Sequence, residues 1–217
     1  MMPVLRTMLA ITALAALPLL AACGDDDSTS TPTRAATTAA ATSASSPTSG
    51  SGSGSAGTTT AASAFTLTSR AFADNANIPV EYSCDGKSSS PPLAWDGAPA
   101  KTQVFALVMH DPDAPRAGGF THWVVYNIPV AATALPAAVS PGGTLAPGTL
   151  EGNNGSGKAG YTGPCPPKGA AAHHYQFTLY ALDAPLTLPA GKTKDELEQA
   201  LGGHVLAKAQ LTGLFGH

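Results

Sequence analysis

The sequence predicts a mainly β domain, a sandwich of sheets with few short helices, following an export signal and a low-complexity linker. Three observations carry that reading. Val104 to Met109 and Trp123 to Ile128 are short β-rich apolar runs, closed by Asp111-Pro112 and by Pro129. Tyr175, Phe177, Leu179 and Ala181 alternate with Gln176, Thr178 and Tyr180, the period of a half-buried strand. The connections are long and rich in Pro and Gly, and helical spacing is rare, which favours packed sheets.

The 217 residues carry 11 basic and 14 acidic side chains, for a formal net charge of −3 and a pI of about 6.0. That length holds one domain, or two small ones, with an ample core. The charge balance argues against a nucleic-acid partner, because phosphate-backbone binders concentrate Lys and Arg. Every aromatic residue lies at or after Phe65, so the chain is not a uniform globule.

The elements follow in order. Residues 1–22 hold one charge, Arg6, before an apolar run from Met8 to Ala22. That run fits the core of a signal peptide and is short for a membrane span. It ends in Leu20-Ala21-Ala22-Cys23, the pattern of a bacterial lipobox, with Cys23 as the residue acylated, for example by palmitate. The alternative is a plain secretory signal cut at Ala22. Several acyl chains would hold the protein at a membrane of the bacterial envelope, since each buried methylene adds about 0.8 kcal/mol. Gly24 occupies the position after the cysteine, so a retention aspartate is absent there and the membrane, inner or outer, is left open. Residues 23–64 are mostly Ser, Thr, Ala, Gly and Pro and cannot bury enough apolar surface to order themselves. As a coil this linker reaches on the order of 35 Å.

Residues 65–217 form the globular domain. Phe65 and Leu67 begin a short strand. The apolar run at 104–109 reads as a strand buried on both faces, and 123–128 as a second. Segment 136–169 is the longest stretch without periodicity, and loops of that length are usually functional or disordered. The strand at 175–181 follows. Thr193 with Glu196 makes a capping box ahead of Leu197, Ala200 and Leu201 at helical spacing. Gly202-Gly203 interrupt that helix, and a second helix is expected through Val205, Leu206 and Ala209.

Chemistry gathers at the strand ends. Asp111-Pro112-Asp113-Ala114-Pro115 closes one strand, His122 opens the next, and His173-His174-Tyr175 opens the third. Imidazoles beside carboxylates tend to hold a proton and donate to an anion. The aspartates would then orient the histidines, with Tyr175 adding a hydroxyl. That set suits a phosphate or carboxylate head group. Simpler readings compete with it: Asp-Pro-Asp makes turns by capping backbone N–H groups, and a histidine at a strand start is commonly just surface. Asp111, Asp113, His122 and His173 are also a chemically reasonable metal set, but close-spaced ligands such as His-x-x-x-His are lacking and no metal is expected. No Gly-x-Ser-x-Gly elbow supports a serine hydrolase.

Taken together, Tyr82-Ser83-Cys84-Asp85-Gly86, Ser90-Pro91-Pro92-Leu93, Trp95-Asp96-Gly97, Asp111 to Pro115, Thr121-His122-Trp123, Gly163-Pro164-Cys165-Pro166-Pro167 and His173-His174-Tyr175 resemble the phosphatidylethanolamine-binding protein family. The nearest likeness is its bacterial and archaeal Raf kinase inhibitor-like branch. The resemblance covers 65–217 and none of 1–64. It implies two antiparallel β-sheets and a small anion pocket needing no cofactor, built here from Asp111, Asp113, Pro115, His122, Gly163, Pro164, His173 and Tyr175. Trp123 matches a large family side chain that flanks the pocket histidine. The mobile C-terminal helix of eukaryotic members has no counterpart in Leu211 to His217.

With Cys23 assigned to lipid, Cys84 and Cys165 remain, both in loops carrying these motifs. In an oxidising compartment they are expected to pair, closing a loop of about 80 residues for roughly 4 kcal/mol at most; the alternative is two free thiols. No Cys-x-x-Cys suggests redox catalysis. The leading expectation is a non-enzymatic, membrane-tethered protein binding phosphate-like or phospholipid head groups. A second makes it an inhibitor of a protease or other protein partner through the pocket-rim loops. A third makes it a small phosphoester hydrolase using His122 or His173 as acid–base group, for which no nucleophile is evident.

Overall fold

The computed structural model describes residues 64–217. The signal peptide 1–22, the acylated Cys23 and all of the linker 23–64 but its last residue fall outside the described residues. Nine strands and one α-helix follow: β1 (Thr66–Thr68), β2 (Ala76–Asn77), β3 (Leu93–Asp96), β4 (Val104–Asp111), β5 (Phe120–Pro129), β6 (Ala134–Leu135), β7 (Leu150–Glu151), β8 (His173–Leu182), α1 (Lys194–Ala200) and β9 (Val205–Phe215). They form two sheets, β1-β3-β6 and β2-β9-β8-β4-β5-β7. The pairings are antiparallel except for the short parallel contact of β2 with β9. The mainly β, two-sheet architecture expected from the sequence is what the chain adopts. No helix among the described residues is long and apolar enough to cross a membrane.

β4 is the middle of the large sheet because it can be covered on both sides. Phe105, Leu107 and Met109 meet Leu93, Trp95 and Leu135 of the small sheet in the inter-sheet core. Val104, Ala106 and Val108 face the other way, onto Leu186, Leu197 and Leu201. A seven-residue helix is too short to persist alone in water. α1 is held by fully buried Leu197 and by its capping box, in which the Glu196 amide donates to Thr193 Oγ1 and the Thr193 amide to Glu196 Oε2.

Two expectations are corrected. β8 is half-buried only over its first half. Tyr180 and Leu182 also enter the second core, so its far end is covered on both faces. The segment after Gly203 is not a second helix but β9, whose 11 residues pair with β8 along its whole length. Val205, Leu206 and Ala209 fit helical spacing by themselves. The governing pattern is Ala207, Ala209, Leu211 and Phe215 at period two, all directed into the inter-sheet core. Within segment 136–169, whose order the sequence left open, residues 150–162 run along the edge of β5. The Gly152 amide donates to the Val124 carbonyl, Gly155 to Thr121 and Thr162 to His122, and β7 pairs with Val125 and Tyr126.

Candidate functional site

The C-terminal end of β4 and the N-terminal ends of β5 and β8 lie side by side at one margin of the inter-sheet core. A cavity of about 330 Å³ opens there, lined by Asp111, Pro115, Arg116, Phe120, His122, Cys165, His173 and neighbouring small or proline residues. A wider depression of about 570 Å³ beside Tyr180, Glu198 and Lys208 holds none of the expected ligand-binding residues.

His122 reaches the cavity through a change of register. Met109 is opposite Trp123 but His110 is opposite Thr121, so His122 is an extra residue, a bulge of the kind that re-aims a side chain beside a site. The bulge is stabilised from the neighbouring loop: the His122 carbonyl accepts the Thr162 amide, and Nδ1 donates to the Thr162 carbonyl at 2.8 Å. Phe120 and Tyr175 pack edge-on against the ring, at 4.7 and 5.1 Å between centroids. Burial lowers the imidazole from 6.5 to about 4, outweighing the Thr162 carbonyl and the Asp111 charge, which both raise it. This reverses the expectation of a protonated histidine at that position. His122 is neutral near pH 7, with its proton on Nδ1.

His173 and Asp111 form a second, buried unit. Nδ1 donates to Asp111 Oδ2 at 2.8 Å, and Oδ1 accepts the Asp113 amide at 2.9 Å. The aspartate therefore orients the histidine, as expected, and also shapes the turn. Asp113 is turned away. Its carboxylate accepts the His174 backbone amide and ring Nδ1 at 2.8 and 2.7 Å, bonds that hold it below the usual carboxylate range. Asp111, Asp113, His122 and His173 consequently do not converge as metal ligands.

Of the eight expected pocket residues, Asp111, Pro115, His122 and His173 line the cavity. Tyr175 lies beneath the histidines, fully buried, and burial raises its hydroxyl well above the usual range. The Cys165 backbone approaches that hydroxyl without closing a well-formed hydrogen bond. Gly163 and Pro164 act one layer behind. The Gly163 amide donates to Ser88 Oγ and the Pro164 carbonyl accepts the Cys84 amide. A Cβ on Gly163 would lie 2.7 Å from the Ser83 backbone, so only glycine permits that approach. Cys84 and Cys165 form the disulfide, which joins the same two segments. Trp123 is not at the cavity. It is fully buried, with its indole N–H on Glu151 Oε1, and the aromatic groups against His122 are Phe120 and Tyr175.

Sequence reading missed Arg116, Phe120, Pro166 and Pro167 as lining residues. Arg116 had a signal: it follows Asp111–Pro115 directly and is the only Lys or Arg between Lys101 and Lys158. Its guanidinium sits 5.0 Å over the Phe120 ring and donates to the Gly155 carbonyl at 3.3 Å.

The family model for Phosphatidylethanolamine-binding protein matches residues 68–216. The chain belongs to that family. A UPF0098 protein of Methanothermobacter thermautotrophicus is 48% identical over 149 residues, covering 69% of this chain and 97% of its own. The protein named putative lipoprotein LppC of Mycobacterium tuberculosis is 42% identical over 151 residues, covering 69% of this chain and 71% of that one. Among solved structures, the phosphatidylethanolamine-binding protein homologue CT736 of Chlamydia trachomatis superposes with TM-score 0.65 at 37% identity, covering 71% of this chain and 98% of that one. YbcL of E. coli gives TM-score 0.67 at 34% identity, over 70% of this chain and 98% of that one. Phosphatidylethanolamine-binding protein relatives thus match the β domain and leave the N-terminal segment uncovered.

Proposed function

We propose that this phosphatidylethanolamine-binding family protein is a non-enzymatic binding protein of the bacterial envelope whose cavity takes a phosphate-like head group. The observation that carries the reading is Arg116 at the mouth of a cavity whose other polar groups are the His122 and His173 rings and the Asp111 carboxylate, which is tied to His173 and to the Asp113 amide. The planar fork of donors on Arg116 matches phosphate or carboxylate oxygens. With Nδ1 of both His122 and His173 committed to inner partners, Nε2 remains on each ring for a ligand, and a phosphate hydroxyl would donate to it. The described lining residues include no serine, threonine or lysine, and their one cysteine is disulfide-bonded, which supports binding over covalent hydrolysis. The lipobox ending in Cys23, together with a relative named a lipoprotein, supports lipid anchoring.

Thermal-shift titration with inorganic phosphate and phosphoethanolamine tests this. Saturable stabilisation is expected, with affinity reduced about tenfold or more in Arg116→Ala and partly kept in Arg116→Lys. Absence of any saturable shift with either compound sinks the reading.

A further inference from the structure

A cluster of metal-binding side chains borders the cavity just described and shares Cys165 with it. The sulfurs of Cys84 and Cys165 and a ring nitrogen of His217 lie within 4.8 Å of one another. Asp85, next in sequence to Cys84, fixes the imidazole: Nδ1 lies 2.8 Å from Asp85 Oδ2, and the His217 side chain is only 12% exposed. Phe215 packs edge-on against the same ring. With Nδ1 set beside the carboxylate, Nε2 is the ring nitrogen left for a cation, and a carboxylate beside the other ring nitrogen is the usual companion of a metal-binding histidine.

We propose that the dithiol form of this disulfide is a binding site for a thiophilic divalent cation such as Zn²⁺, with Cys84, Cys165 and His217 as ligands and Asp85 orienting the imidazole. Two thiolates and an imidazole, with water in the fourth position, form a set that Zn²⁺ takes tetrahedrally. Zn–S bonds of about 2.3 Å place two sulfurs roughly 3.8 Å apart. The Cα atoms are 5.4 Å apart, so side-chain rotation alone reaches that spacing once the bond is broken.

The thiols stay together after reduction because the disulfide is not the only tie between their segments. The Cys84 amide donates to the Pro164 carbonyl at 3.0 Å, the Gly163 amide to Ser88 Oγ at 2.8 Å, and the Tyr161 hydroxyl to the Tyr82 carbonyl at 2.8 Å. Reduction by a dithiol supplies two electrons and two protons. The S–S bond becomes two thiols, the reductant becomes its own disulfide, and the incoming cation displaces both thiol protons. Cys165 also lines the cavity, so a bound cation adds positive charge near it. The proposal does not depend on what the cavity binds.

The test uses the full chain with Cys23→Ser, which leaves Cys84 and Cys165 as its only cysteines. The protein is reduced with a dithiol, freed of reductant without air, and titrated with Co²⁺ and then Zn²⁺. One Co²⁺ per reduced chain is expected, with sulfur-to-cobalt charge transfer and the strong visible bands of tetrahedral coordination. Zn²⁺ displaces it and the oxidised chain binds none. Cys165→Ser abolishes the signal, and His217→Ala weakens binding by roughly tenfold or more and alters the visible bands. The proposal is overturned by absence of stoichiometric binding, by binding that His217→Ala leaves unchanged, or by loss of the native circular dichroism on reduction alone.

Discussion

At the residue scale, His122 links folding to pH. Unfolded, its imidazole titrates near 6.5; folded, burial holds it at about 4. Between those values the unfolded chain binds more protons, so stability rises with pH across the window. The contribution is complete above about 6.5 and lost as pH falls to about 4. The gap corresponds to roughly 3 kcal/mol. Urea unfolding at intervals from pH 7 to pH 4 is expected to show a steeper loss for the wild type than for His122→Gln, and equal slopes would remove His122 as the cause. The sequence showed that this histidine sits by a carboxylate-rich turn. It did not show the ring's burial, because burial comes from Phe120, Tyr175 and the Thr162 loop, which pack around it from three places in the chain.

At the scale of elements, β9 shows how a strand is decided by its neighbours. Its inward positions mix the small Ala207, Ala209 and Gly213 with Leu211 and Phe215, and at Gly213 other elements approach closely. A Cβ on Gly213 would lie 2.4 Å from Ile78 Cγ1 and 2.9 Å from the Phe72 ring. Gly213→Ala is expected to cost about 1–3 kcal/mol through overpacking, read from the denaturant midpoint. Ile78→Ala alone opens a cavity and costs about 2–5 kcal/mol. The double variant should lose less than the sum, since each change relieves the other; strict additivity would show that the two side chains do not compete for one space. α1, by contrast, was readable to within a residue, because a capping box and Leu197 are local signals.

At the scale of the whole molecule, the Cys84–Cys165 bridge joins positions 81 residues apart. Closing so long a loop restricts the unfolded chain, and its removal is expected to cost about 2–4 kcal/mol. Oxidised Cys84→Ser should therefore unfold at a lower denaturant concentration than the wild type, matching the reduced wild type; coincident midpoints for oxidised and reduced protein would show that the bridge contributes nothing. The sequence by itself determined the elements that carry their own pattern: the doubly buried strand β4, the capped helix, the Asp-Pro-Asp turn and the cysteine pair. Those signals are local or compositional, so one chain suffices to read them. Only the tertiary structure decided the rest. The two-residue strands β2, β6 and β7 have no period to detect. β9 matched two periods until pairing with β8 selected one. A one-residue shift against β4 aims His122 at the cavity, and the fold swings Arg116 over Phe120 while turning Asp113 away to His174. Register and side-chain direction arise from contacts between residues far apart in sequence, where local propensity has no hold.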